Sequence, residues 1–266
     1  MRSQKEIYAP FFDLAVSADC GQAFRWEKRE NGDWHGVIRG KVFDLYQSGD
    51  MLISRRDIDD GERKMLIDYF SLDTDYEKIC LGFSEDENLA RAVKAFPGIR
   101  ILRQEPWEAL CSFIISQNNN IPRIKGIISR LCVLLGDDLG GGDFSFPPPE
   151  RVIEAGVEGL SPIRSGFRAK YIIDAAEKCS SGEIDFERIR SLSVDEGAEE
   201  LKKIKGVGDK VAMCALLYGF NKFEAFPVDV WVKRIMAEMY PGGLPECTRG
   251  FEGVAQQYLF HWRRSL

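Results

Sequence analysis

Two short segments hold the residues whose types and spacing can do chemistry. In Leu201-Lys202-Lys203-Ile204-Lys205-Gly206-Val207-Gly208-Asp209-Lys210, one apolar helical pattern ends at a Gly-Val-Gly turn and the next begins at once. Gly206 and Gly208 are expected to take backbone angles closed to other residues. The turn then presents free amides at the start of the following helix, a geometry that binds phosphate and that also serves as a plain helix–turn–helix connection. Further on, Phe226-Pro227-Val228-Asp229-Val230 places an Asp where a helix begins, so Asp229 has an N-cap reading of its own. Other chemistries are poorly supplied. The only two histidines, His35 and His261, lie far apart in sequence, which disfavours His-based metal sites and Ser-His or Cys-His pairs. Seven cysteines form no Cys-x-x-Cys, so neither a disulfide framework nor a zinc or iron–sulfur cluster is expected. No metal or cofactor is expected.

The elements that must position these residues read as an α+β chain. Four strands with short turns run from Phe24 to about Arg56, broken at Asn31-Gly32, at Gly40 and at Ser48-Gly49-Asp50, which predicts an antiparallel meander. Helical spacing follows over Gly61–Phe70 and Asp86–Phe96, and Pro97-Gly98 closes that part, suggesting a β-rich domain over 1–98 and a helical region over 99–266. Pro106 suits a first helical position ahead of the stripe Trp107, Leu110, Cys111, Ile114 and Ile115. Helices are expected over 122–135, 168–179, 194–204, 210–220, 229–239 and 249–263, with 137–150 as an irregular Gly/Pro-rich loop.

Of 266 residues, 44% are apolar and 29% charged, an ordinary globular balance. The net charge of −6 argues at first against a polyanionic partner. Basic side chains nevertheless outnumber acidic ones five to two over 100–135 and seven to four over 201–240. Such a distribution permits nucleic acid, and equally describes solvated helix faces. There is no apolar run of membrane-spanning length and the N-terminus lacks the order of a signal peptide, so a soluble intracellular protein with no membrane partner is expected.

Taken together, the hairpin and the Pro-Val-Asp element resemble the helix-hairpin-helix, Gly/Pro…Asp superfamily of DNA glycosylases. Lys210 stands where members with an amine nucleophile carry theirs, and the C-terminal four-cysteine cluster of other members is missing. Further motifs narrow the resemblance to 8-oxoguanine DNA glycosylases over nearly the whole chain. Gly21-Gln22-Ala23-Phe24-Arg25-Trp26 is similar to the family's Gly-Gln-Ser-Phe-Arg-Trp signature. Asn118-Asn119-Asn120-Ile121-Pro122-Arg123 resembles its Asn-Asn-Asn-Ile-x-Arg stretch, and Gly166-Phe167-Arg168-Ala169-Lys170-Tyr171 its Gly-Tyr-Arg-Ala-x-Tyr run. Gln256 and Phe260 keep the family's four-residue interval.

The resemblance implies roles. Lys210 would attack the anomeric carbon, its neutral amine favoured by the helix N-terminus, by burial and by neighbouring Lys202, Lys203 or Lys205. Asp229 would stabilise positive charge on the sugar. Phe260 and Cys214 would sandwich an extruded purine, Gln256 would read its pairing edge, and the Gly21 carbonyl would accept the N7 proton that 8-oxoguanine has and guanine lacks. Asn118, Arg123 and Arg168 would serve the gap and the orphaned cytosine, with Phe167 as a wedge. Gly206, Val207 and Gly208 would hold the DNA backbone. Trp231 stands where the family often has His, and Tyr218 where a Met is common. Each residue also has a plainer reading: a solvated lysine, a helix cap, an ordinary turn glycine, core aromatics, arginines with carboxylate partners. The implied partner is double-stranded DNA with 8-oxoguanine opposite cytosine, met by a monomer in the cytoplasm or nucleoid, or in a nucleus. A glycosylase for another damaged purine and a non-catalytic module that binds damaged DNA are the competing readings.

Overall fold

The computed structural model describes residues 4–266. Five strands, β1 (Glu6–Tyr8), β2 (Trp26–Lys28), β3 (Trp34–Ile38), β4 (Lys41–Ser48) and β5 (Met51–Ser54), form an antiparallel sheet in the order β1-β5-β4-β3-β2. The meander is as expected, with one addition. Glu6–Tyr8, too short to show alternation, pairs with Met51–Ile53 and closes the edge beyond β5. Register fixes packing: Trp26 stands opposite Gly36, where any Cβ would come within 2.5 Å of its ring. That indole is buried and donates to the Tyr69 hydroxyl at 3.0 Å.

Helices α1 (Leu14–Asp19), α2 (Asp60–Tyr69), α3 (Tyr76–Phe83) and α4 (Glu87–Ala95) begin at Asp13, Asp59, Asp75 and Asp86, each accepting a backbone N–H in the first turn. Asp59 and Glu62 complete a capping box. The remaining elements are helical except for one hairpin: α5 (Pro106–Ser116), α6 (Ile121–Leu135), β6 (Asp138–Gly140), β7 (Asp143–Phe144), α7 (Pro149–Gly159), α8 (Ala169–Ser180), α9 (Phe186–Ser191), α10 (Val194–Lys202), α11 (Asp209–Gly219), α12 (Val230–Met239) and α13 (Glu252–Ser265). The expectation of an irregular loop over 137–150 is corrected here. Gly140, Gly141 and Gly142 all take positive φ, which lets the chain reverse within three residues and pair Asp138 with Phe144.

Two cores organise the molecule. One lies between the sheet and α2, around Trp26, Phe43, Leu45, Leu66 and Phe70. The larger runs through the helices and takes in Cys20 and Phe24 from the N-terminal segment. That segment is held from several sides. The Gln22 side chain donates to the Arg100 carbonyl at 2.7 Å and accepts from the Leu102 amide at 2.9 Å. Gln104 donates to the Gln22 carbonyl and Gln257 to the Cys20 carbonyl. Gly21 is therefore fixed at the junction by the amides around it.

Candidate active site

The pairing of α11 with α5 builds the centre of the site. Gly219 allows the close approach, since a Cβ there would lie 3.0 Å from Cα of Pro106. Lys210, Cys214 and Tyr218 recur every four residues on one stripe of α11. Tyr218 stacks on Phe113 of α5, with centroids 5.1 Å apart and planes at 17°, and donates to Gln257 at 2.6 Å. Nζ of Lys210 lies 5.2 Å from the Phe113 ring centroid and donates to Ser116 Oγ at 3.1 Å. Asp229 caps α12, accepting from the Val232 amide at 2.8 Å. Its charge acts on the same thiol as that of Lys210: burial pushes Cys214 up to about 11, Lys210 pulls against that shift, and Asp229 adds to it. Cys214 thus lies under the field of both groups.

Of the three lysines expected to influence Lys210, Lys202 is paired with Glu199 and Asp209, and Lys203 with Glu200. Their charge is directed to these carboxylates. The turn itself is built from Gly206, whose φ is +79° and whose missing Cβ leaves room for the Tyr171 ring, 2.4 Å from where that atom would be. Val207 is buried. Gly208 departs from expectation: its φ of −105° and ψ of −175° are open to any residue, and a Cβ there would meet nothing. What Gly208 provides is an N-cap without a side chain, so the first amides of α11 are left for an outside acceptor.

Gly21, with φ +86°, lies against Phe260, whose Cε1 would be 3.8 Å from an added Cβ. One turn before Phe260, Gln256 is buried with its Oε1 unpartnered. A buried amide oxygen without a donor is costly, and it awaits one from outside.

Two family models match the chain: the 8-oxoguanine DNA glycosylase N-terminal domain over residues 6–110 and the HhH-GPD superfamily base excision DNA repair protein over residues 111–243. A probable N-glycosylase/DNA lyase of Methanothermobacter thermautotrophicus is 36% identical over 69% of this chain and 69% of its own length. The chain belongs to the 8-oxoguanine DNA glycosylase family. The N-glycosylase/DNA lyase of Saccharomyces cerevisiae is 35% identical over 68% of this chain, which spans 52% of the yeast protein. Among solved structures, MBOgg1 in complex with a low affinity DNA ligand is similar with TM-score 0.92 and 38% identity, covering 100% of this chain and 97% of its own. The Clostridium acetobutylicum 8-oxoguanine glycosylase/lyase, bound to double-stranded DNA with cytosine opposite 8-oxoG, gives TM-score 0.88 and 38% identity over 96% and 92%. A 3-methyladenine DNA-glycosylase of Archaeoglobus fulgidus, at 20% identity and TM-score 0.76, shares the fold.

The loop between α5 and α6 carries this family's Asn-Asn-Asn run. Asn118 takes a left-handed φ of +47° and is exposed, Asn120 caps α6, and Arg123 is exposed one turn on. Phe167 is 54% exposed. Arg168 is buried instead: its guanidinium lies over Phe167 and donates to the carbonyls of Gln117, Asn118 and Ser165. It therefore holds the Asn118 loop in place. Burial, and then nearby Arg123, lower its pKa. Sequence reasoning missed Ser116 and Phe113, the immediate partners of Lys210. Ser116 carried a signal of its own as the last residue of α5 before the Gln117-Asn118 turn. Two cavities, of about 920 and 270 Å³, lie elsewhere, against the sheet and the β6–β7 hairpin, the second also lined by α6.

Proposed function

We propose that the chain is a bifunctional DNA glycosylase and AP lyase that removes 8-oxoguanine paired with cytosine from double-stranded DNA. The observation that carries this reading is Lys210 at the start of α11, donating to Ser116 beside the Phe113 ring and one turn before buried Cys214, within a chain that also brings Gly21 against Phe260. A base inside a duplex must be extruded before it can be attacked. The neutral Lys210 amine then adds to C1′ as the N-glycosidic bond breaks, the base leaves with the bonding electrons, and Asp229 faces the positive charge that develops on the sugar. Ring opening gives an imine between Nζ and C1′. Loss of a C2′ proton then expels the 3′ phosphate by β-elimination. Ser116 and Phe113 orient the amine before attack. Gln256 offers its unpartnered oxygen to donors on the purine's pairing edge, and Asn118, Arg123 and Phe167 serve the gap that extrusion leaves. Gly206, Val207 and Gly208 hold the DNA backbone.

Incubation with an 8-oxoguanine:cytosine duplex and borohydride tests the proposal, because an imine is reduced to a stable cross-link. The wild type is expected to be trapped, and Lys210→Gln to bind the duplex without excision or trapping. Trapping of the mutant would assign the nucleophile to another amine. Faster excision of an alkylated purine than of 8-oxoguanine would replace the substrate.

A further inference from the structure

One cation stands at the mouth of the proposed purine pocket. A Cβ built on Gly21 would lie 3.7 Å from Nη1 of Arg264, the same neighbourhood in which it meets Phe260 and Ile121. Arg264 follows Phe260 by four residues on α13, and its guanidinium lies 5.2 Å from the centroid of that ring. Arg263 beside it is paired with Glu238 at 2.8 Å, whereas Arg264 has no carboxylate partner among the described residues. An exposed guanidinium with free donors is therefore held against the glycine that faces the purine.

8-Oxoguanine differs from guanine at two adjacent atoms, the N7 donor and the C8 oxygen acceptor. Gly21 supplies a carbonyl for the first and has nothing for the second. We infer that Arg264 is a specificity-determining residue of the lesion pocket, donating a charge-assisted hydrogen bond to the C8 oxygen while Gly21 accepts from N7. The inference rests on the glycosylase reading. It assigns the acceptor half of the oxidised edge to a side chain on the C-terminal helix, and the length of the arginine arm lets it yield to the entering purine and close over it.

The test uses the full chain carrying Lys210→Gln, so that binding is measured without turnover, on two duplexes. One holds 8-oxoguanine opposite cytosine, and the other holds a tetrahydrofuran abasic analogue at the same place. Adding Arg264→Ala is expected to weaken binding to the lesion duplex by about tenfold, in line with one lost charge-assisted hydrogen bond, while leaving the abasic duplex unaffected. Arg264→Lys is expected to recover part of the loss. Equal weakening on both duplexes, with a shallower salt dependence, would make Arg264 a phosphate contact and overturn the inference. Unchanged affinity for both would overturn it as well. Failure of the underlying reading has a separate signature, the absence of any trapped complex between the wild type and the lesion duplex.

Discussion

At the scale of single residues, Asp229 combines two tasks that one substitution can separate. Its carboxylate caps α12 through the Val232 amide, and its charge raises the pKa of the Cys214 thiol. Asp229→Asn keeps an acceptor and nearly the same volume but removes the charge. Near-wild-type melting and lesion affinity are expected, with a loss of roughly 2–4 kcal/mol of transition-state stabilisation in single-turnover excision. Early unfolding would make the residue a cap alone. Arg168 calls for the opposite caution. Its donors are bonded to the Gln117 and Asn118 carbonyls, so Arg168→Ala removes the support of the loop and leaves those oxygens unpaired. A lower melting temperature is expected together with a flatter preference for cytosine over adenine opposite the lesion. Asn118→Ala, on an exposed side chain, is expected to flatten that preference with a smaller thermal penalty, the strain of alanine at a φ of +47°. An unchanged ratio of excision rates in both mutants would remove the pair from recognition of the orphaned base.

At the scale of elements, the two glycines of the turn separate fold from function. Gly206→Ala forces a Cβ to within 2.4 Å of the Tyr171 ring at a positive φ, and a loss of stability of at least about 1–3 kcal/mol is expected in thermal melts. Gly208→Ala puts its methyl into open space at an ordinary φ, so the melt should hardly move; the methyl lies where a DNA phosphate would meet the first amides of α11, and weaker duplex binding is expected. Equal stability of the two mutants would contradict this division. These elements were also the most legible. The long helices announce themselves by apolar spacing and by Asp, Asn or Pro at their starts, and the meander by its turns. The illegible pieces are short, depend on distant partners or, as in α7 (Pro149–Gly159), are interrupted by a residue such as Gly156 at a φ of +61°. Glu6–Tyr8 is a strand only because β5 offers an edge, and the β6–β7 hairpin only because three glycines reverse the chain. The candidate site divides the same way. Lys210, Asp229, Gly21 and Phe260 stand in motifs, whereas Ser116, Phe113 and Arg264 matter through contacts that no local spacing encodes.

At the scale of the whole molecule, the sheet and the helical region meet at a clasp around His35. Its Nδ1 lies 2.7 Å from Asp44 on β4 and its Nε2 2.8 Å from Asp143 on β7, across a cleft of about 920 Å³ that Arg29 and Arg55 also line. The hairpin continues into Phe144, whose carbonyl accepts from Arg25, and Arg25 is paired at 3.3 Å with Glu108 on α5, the helix that carries Ser116 and Phe113. The clasp thus lies at one end of a chain of contacts that runs to the partners of Lys210. Burial opposes charge on His35 and Arg29 repels it, but the hydrogen bonds to Asp143 and Asp44 outweigh both, and the pKa is raised above 6.5. With the folded value above the unfolded one, the stabilisation is full below about pH 6.5 and is lost as pH rises through the folded value. His35→Gln is therefore expected to lower stability by about 1–3 kcal/mol at pH 6, a shift of a few degrees in melting temperature for a chain of this size. The gap between mutant and wild type should narrow steadily toward pH 9. Paired melts across that range decide the matter, since a gap that stays constant or widens with pH would mean that His35 is held neutral and that the clasp is not an ion pair.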